Sequence, residues 1–164
     1  MIKGRFGDTT GSPYVEAMLI FPRLNLRGNI SFLVDTGARR SLINPTDARR
    51  LQLYASGSLR GVEPIYGMAG KTMDAFVEEG LVVFDAREKL VVYKIELLVA
   101  PESADQGRRA LGFETRGNAP PRQRLPSILG RDIINRWHMT YAPGRKRYRL
   151  WFRVVSADEE IPIP

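Results

Sequence analysis

The 164-residue chain has no cysteine and a single histidine, His138. Without cysteine there is no disulfide framework, no thiolate metal site and no thiol nucleophile. A Ser-His-Asp relay or a multi-histidine centre would rest on His138 alone, so neither is expected, and no metal or other cofactor is assigned. Also missing is any apolar run close to the ~20 residues of a membrane helix. The start, Met1-Ile2-Lys3-Gly4-Arg5, lacks the apolar stretch of a secretion signal. The expectation is a soluble, cytoplasmic protein with no membrane partner. Acidic residues are in deficit, 18 Asp and Glu against 25 Lys and Arg, for a formal net charge of +7. That surplus permits nucleic acid or an acidic partner, but net charge alone is a weak signal and reads more simply as an arginine-rich solvated surface.

What is present is mostly strand. The length suits one domain, expected over 1–155, with 156–164 as an acidic, proline-rich tail that frays. Tyr14 to Leu24 is a β-prone run broken by Pro22, and Asn29 to Val34 is short, apolar and β-branched. Asn44-Pro45-Thr46-Asp47 reads as a helix start: a capping Asn, a proline at the first helical position and an acid at the positive end of the dipole. That helix is expected to end near Leu53, with Ala48 and Leu51 inward. Gly57 to Tyr66 and Lys71 to Phe84 read as a hairpin about Gly67-Met68-Ala69-Gly70. Leu90 to Ala100 is a further strand. The stretch 101–126 holds four prolines, three glycines and five arginines, and reads as a long inserted loop. Ser127-Ile128-Leu129 is a short strand entering Gly130, and Arg131 to His138 has a helical pattern. Met139 to Ala142 and Arg147 to Val155 form a last hairpin about Pro143-Gly144. The class is therefore all-β with one or two short helices.

The segment that carries chemistry is Phe32-Leu33-Val34-Asp35-Thr36-Gly37-Ala38, continuing to Ser41. A buried apolar strand delivers a carboxylate into a turn. Gly37 lets the backbone turn tightly, and Thr36 offers a hydroxyl that can lock the turn. An Asp-Thr-Gly turn alone is weak, since Asp and Gly mark turns for local reasons. Three companions strengthen it: the strand before Asp35, the glycine-tipped hairpin, and Ile128-Leu129-Gly130-Arg131-Asp132 with its short helix. The segment Asp8-Thr9-Thr10-Gly11-Ser12 has an extra residue and no apolar strand before it, and reads as an ordinary turn.

In this order the motifs resemble those of the retropepsin-like, single-domain aspartic proteases, more the cellular and bacterial members than the compact viral ones. The resemblance covers roughly Tyr14 to Phe152. It implies a closed, barrel-like acid-protease fold, with Asp35 as the catalytic carboxylate. Thr36, Gly37, Ile128, Leu129 and Gly130 would support the catalytic turn. Ala38, Arg39, Met68, Ala69 and Gly70 would contact a peptide or protein substrate, the last three from a flap hairpin. One carboxylate cannot both activate water and protonate a carbonyl oxygen. Two at hydrogen-bonding distance can, because they share one proton. A chain with one such motif needs a second copy, so a homodimer is expected, with Asp35 near its two-fold axis.

Arg39 and Arg40 depart from the viral pattern, which carries acids there that pair with the arginine of the Gly-Arg-Asp segment. Either Asp132 or another carboxylate takes over that task, or Arg131 has another role. The two arginines suggest acidic side chains near the cleaved bond. The main rival keeps the fold without the enzyme: an inactive dimerisation or peptide-binding module. Nucleic-acid binding through Arg145 to Arg153 is less favoured than a half-buried strand with a solvated arginine face. His138 is expected at a helix end, and Glu78 and Glu79 as solvent-facing strand charges.

Overall fold

The computed structural model describes residues 1–7, 11–55, 59–66, 72–103, 126–143 and 148–163. The expected hairpin tip and the expected turn at Pro143-Gly144 fall largely outside them, at residues 67–71 and 144–147, as do most of the 101–126 stretch and residues 8–10. Among the described residues the chain forms eleven strands and two short helices. The strands are β1 (Ile2–Phe6), β2 (Pro13–Phe21), β3 (Leu26–Val34), β4 (Leu42–Ile43), β5 (Arg60–Tyr66), β6 (Thr72–Asp85), β7 (Lys89–Val99), β8 (Ser127–Leu129), β9 (Trp137–Pro143), β10 (Tyr148–Val154) and β11 (Glu159–Pro162). The helices are α1 (Pro45–Arg50) and α2 (Arg131–Ile134), and Pro22–Leu24 forms a 3-10 turn. No helix of the described residues is long and apolar enough to cross a membrane.

Alternation of side chains builds the core. Ile30, Phe32 and Val34 of β3 are buried, as are Val15, Ala17, Leu19 and Phe21 of β2, while the residues between them are exposed or half-buried. This is the two-residue period of a sheet with one face inward. The sheet runs in the order β5-β6-β7-β4-β8-β3-β2-β1-β10-β9. It closes because β2 has two neighbours on the side away from β3. Its start pairs with β1, and Met18, Leu19 and Ile20 pair with Val83, Val82 and Leu81 of β6. Strands β2, β6, β7, β4, β8 and β3 thus form a closed ring, an all-β barrel whose interior holds Leu19, Phe32, Phe84, Tyr93, Leu97 and Leu129, each fully buried.

Helix α1 forms as its sequence predicts. The Asn44 side chain accepts from the Asp47 N–H at 2.8 Å, Pro45 occupies the first turn, and Ala48 and Leu51 are buried. Leu51 seats over β3 because Gly28 has no side chain: a Cβ there would lie 2.4 Å from Leu51 Cδ2.

Two expectations fail. The helix expected over Arg131 to His138 stops at Ile134, and Trp137 and His138 open β9. The apolar positions Ile133, Ile134 and Trp137 suit a helix, but seven-residue pairing with β10 satisfies the backbone, and strand geometry sends Trp137 into the core. There its indole N–H donates to the Tyr93 hydroxyl at 2.6 Å, and its ring packs edge-on against Phe84 at 4.9 Å. His138 is therefore an exposed strand residue opposite Arg153. The acidic tail, expected to fray, pairs as β11 along β7, from Glu159 opposite Val92 to Pro162 opposite Lys89. Its charges meet bases: Glu159 pairs with Lys94, Glu160 with Lys89, and Asp158 takes both amino groups of Arg136 at 3.0 and 3.1 Å.

Candidate functional site

Strand β3 ends where Asp35 begins a turn, and β8 passes between the two sides of that turn. Residues Phe32 to Val34 pair in parallel with Ser127 to Leu129, and Leu42 of β4 pairs antiparallel with Ile128. The chain from β3 through the turn to β4 therefore straddles β8, and Ile128-Leu129-Gly130 forms the floor under Asp35.

The turn is pinned by backbone hydrogen bonds. The Asp35 N–H donates to the Leu129 carbonyl at 3.1 Å, the Ala38 N–H to the Asp35 carbonyl at 3.2 Å, and the Arg131 N–H to the Ala38 carbonyl at 3.0 Å. The Gly37 N–H donates to Asp35 Oδ1 at 2.8 Å, fixing one carboxylate oxygen. Gly37 is not among the left-handed residues of the chain. Its want of a side chain matters for space instead: a Cβ there would stand 3.1 Å from Asp35 Oδ1. Gly130 is more constrained. A Cβ there would lie 2.5 Å from the carbonyl carbon of Arg40 and 2.6 Å from its oxygen, so the two motif segments touch backbone to backbone.

A clamp behind the turn is built from Ser41 and Asp132. The buried Ser41 donates its N–H to Asp132 Oδ2 and its hydroxyl to Asp132 Oδ1, both at 2.8 Å, and accepts from the Gly130 N–H at 3.0 Å. Asp132 therefore directs its carboxylate to Ser41 and the Ile133 N–H rather than to Arg131. A second buried set stands beside it: Ser127 donates its hydroxyl to Asp47 at 2.7 Å and accepts from the Asn44 N–H at 3.1 Å.

Arg40 directs its charge away from Asp35, into a carboxylate pair. Its guanidinium binds the carboxylate of Glu63 on β5, and the carboxylate and carbonyl of Glu96 on β7, the last two at 3.2 and 3.0 Å. The argument for acidic substrates therefore keeps only Arg39, which is exposed beside the turn. Glu78 is also not the solvated charge expected. It is 2% exposed, and the Arg23 guanidinium holds its two oxygens as a fork, with one bond at 2.9 Å. That bonding also raises the pKa of Arg23, so the buried carboxylate faces a permanent cation.

The structure brings Asp35, Thr36, Gly37, Ala38, Ile128, Leu129 and Gly130 together. Met68, Ala69 and Gly70 lie outside the described residues. Thr36 and Gly37 are exposed, and Asp35 and Ala38 half-buried, on an open face of the single chain. Among the described residues no second aspartate joins Asp35 in a catalytic pair, and no group of three metal-binding side chains occurs. Two shallow grooves, of about 440 and 480 Å³, run over β6 and β7, and neither is lined by the Asp35 turn. On the remaining basic strand, Leu150 and Phe152 are buried and Arg149 and Arg153 exposed, as a half-buried strand requires.

Sequence reasoning gave Ser41 no role and considered Asp132 only as a partner for Arg131, so the clamp between them was missed. Ser41 and Asp132 are 91 positions apart, and their only local mark is that each follows a motif glycine closely. Comparison with protein-family models, curated proteins and solved structures returns no match.

Proposed function

We propose that this chain is a retropepsin-like module that binds an extended peptide beside the Asp35 turn, and that it becomes an aspartic endopeptidase when two copies bring their Asp35 carboxylates together. The observation that carries the proposal is the straddled floor: β8 held between β3 and β4, with Asp35 at the strand end and one carboxylate oxygen fixed by the Gly37 N–H. That is a pre-organised carboxylate, which catalysis by charge requires.

Within a two-fold pair, the two carboxylates share one proton because like charges so close cannot both ionise. The ionised member takes a proton from water as the oxygen attacks the peptide carbonyl. The protonated member donates to the carbonyl oxygen, giving a tetrahedral diol. Proton transfer to the leaving nitrogen then breaks the C–N bond. Thr36 and Gly37, exposed in one chain, are proposed to meet their copies at the axis. Met68, Ala69 and Gly70, with Ala38 and Arg39, are proposed to line the peptide.

A second reading has its own support. Among the described residues one chain supplies one carboxylate and no dyad, so in this reading an isolated copy is a peptide-binding module without hydrolytic power. The two readings separate in one experiment. A peptide library is incubated with purified protein and with Asp35→Asn, and binding and cleavage are measured on the same peptides. The proposal predicts that Asp35→Asn keeps binding and loses cleavage by at least about a thousandfold, the scale expected when a pair acting as a unit loses a member. Binding without cleavage by the unaltered chain leaves the module reading alone.

A further inference from the structure

The sequence places Arg40 five residues beyond Asp35, yet its guanidinium serves a different part of the fold. Its main chain is fixed, because the carbonyl of Arg40 lies against the backbone of Gly130 with no room for a Cβ between them. Its side chain is 19% exposed, and one amino group is held by both the carbonyl and the carboxylate of Glu96 on β7. Backbone packing, side-chain burial and two bonds to an inner strand make Arg40 a static anchor.

The other amino group reaches Glu63, whose strand is of a different kind. Strand β5 is the end of the sheet path and, among the described residues, pairs only with β6. Its pairing slips between Arg60 and Val62, where Gly61 adopts a left-handed φ of +62°. A bulge with a left-handed glycine is a local break in the ladder and a natural bending point. Glu63 stands two residues beyond it, so the Arg40 bond is made to the part of β5 that would swing. We propose that Arg40 is a latch on this arm: it ties Val62 to Tyr66 of β5 to the wall that also carries Asp35, and the tie breaks whenever β5 bends away at Gly61. Arg40 is then a positioning residue, coupling the catalytic turn to the arm beside it.

The inference rests on the proposed function only for its catalytic consequence. The mechanical part stands without it, and the experiment reads the two separately. Amide hydrogen exchange is measured on the purified chain, on Arg40→Gln, on Glu63→Gln and on the double variant. A pair of this exposure shifts an opening equilibrium by a factor of about 2–5. Each single variant is therefore expected to speed exchange across 62–66 by about 2–5-fold, with β2 and β3 unchanged, and the double variant no more than the faster single one. Glu63→Gln sits on a half-exposed edge position and keeps the question open to measurement should Arg40→Gln fold poorly. Peptide cleavage then supplies the second readout: KM rises by about the same factor while kcat holds, and Arg40→Lys restores part of the loss. Unchanged exchange across 62–66 in Glu63→Gln, or effects that add in the double variant, would overturn the latch. A fall in kcat at constant KM would also overturn it, by locating the role of Arg40 at the Asp35 turn. Faster exchange in a chain that cleaves nothing would keep the latch and remove the enzyme.

Discussion

Gly130 and Asp132 hold the candidate site together from behind, and both make sharp predictions. Gly130→Ala puts a methyl group 2.5 Å from the Arg40 carbonyl carbon, where backbone rather than a yielding side chain must move. Overpacking of this kind costs about 1–3 kcal/mol. A lowered denaturation midpoint is expected, with the Asp35 turn displaced. Asp132→Ala strips both acceptors from the buried Ser41. Each donor left without a partner costs about 1–3 kcal/mol, so this variant should be the less stable of the two in urea. If both variants unfold at the midpoint of the natural chain, the clamp has no structural weight. At this scale the strand ending at Val34 and the short strand entering Gly130 were legible, because an apolar strand running into a turn is a local pattern. The sequence was a poor guide to Glu78. Two adjacent acids on a strand look solvated, and the guanidinium that buries one of them comes from Arg23, 55 residues away.

At the scale of elements, the tail carries the largest revision. A short acidic segment with two prolines looks frayed on its own, and only β7 and Arg136 give it a place. The same long-range pairing, with β10, turned the end of the expected second helix into β9. The strands β2 and β3 were legible within a few residues because their burial follows the local two-residue period, and β6 and β7 because they hold continuous apolar runs, Leu81 to Phe84 and Leu90 to Tyr93. The anchoring of β11 predicts a pH effect. Asp158 has its pKa lowered, first by its hydrogen bonds from Arg136, against the opposing effect of burial, and further by the Lys94 N–H. A lowered carboxylate pKa stabilises the fold fully above the ordinary value of 3.8, and that stability drains away as the pH falls toward the lowered value. Melting temperatures of the natural chain and Asp158→Asn should therefore differ most near neutral pH and converge in acid below 3.8. A gap that stays constant through that range would mean that the Asp158 charge does not hold β11.

At the scale of the whole molecule, the barrel supplies the frame that carries Asp35 and, in the proposed function, half of a reaction. Ring closure through β2 and β6 fixes β3, and β3 fixes Asp35, but no described residue of one chain completes the proposed pair. Specific cleavage activity should accordingly rise with protein concentration and level off once dimers predominate, in step with the mass measured by analytical ultracentrifugation. Activity independent of concentration, from a chain that sediments as a monomer, would remove the shared site. The expectation of a partner comes from chemistry alone, since one Asp-Thr-Gly cannot be both acid and base.

The central claim is that each active site takes one Asp35 from each of two chains, and subunit mixing tests it most directly. The natural chain is unfolded together with Asp35→Asn in equal amounts, refolded, and assayed at constant total concentration. Random pairing leaves about a quarter of the dimers with two intact carboxylates, and a two-fold site needs both. The account predicts that activity falls to about a quarter of that of the natural chain. A fall to about half, in proportion to the natural chain present, would show that each chain works alone and would contradict it.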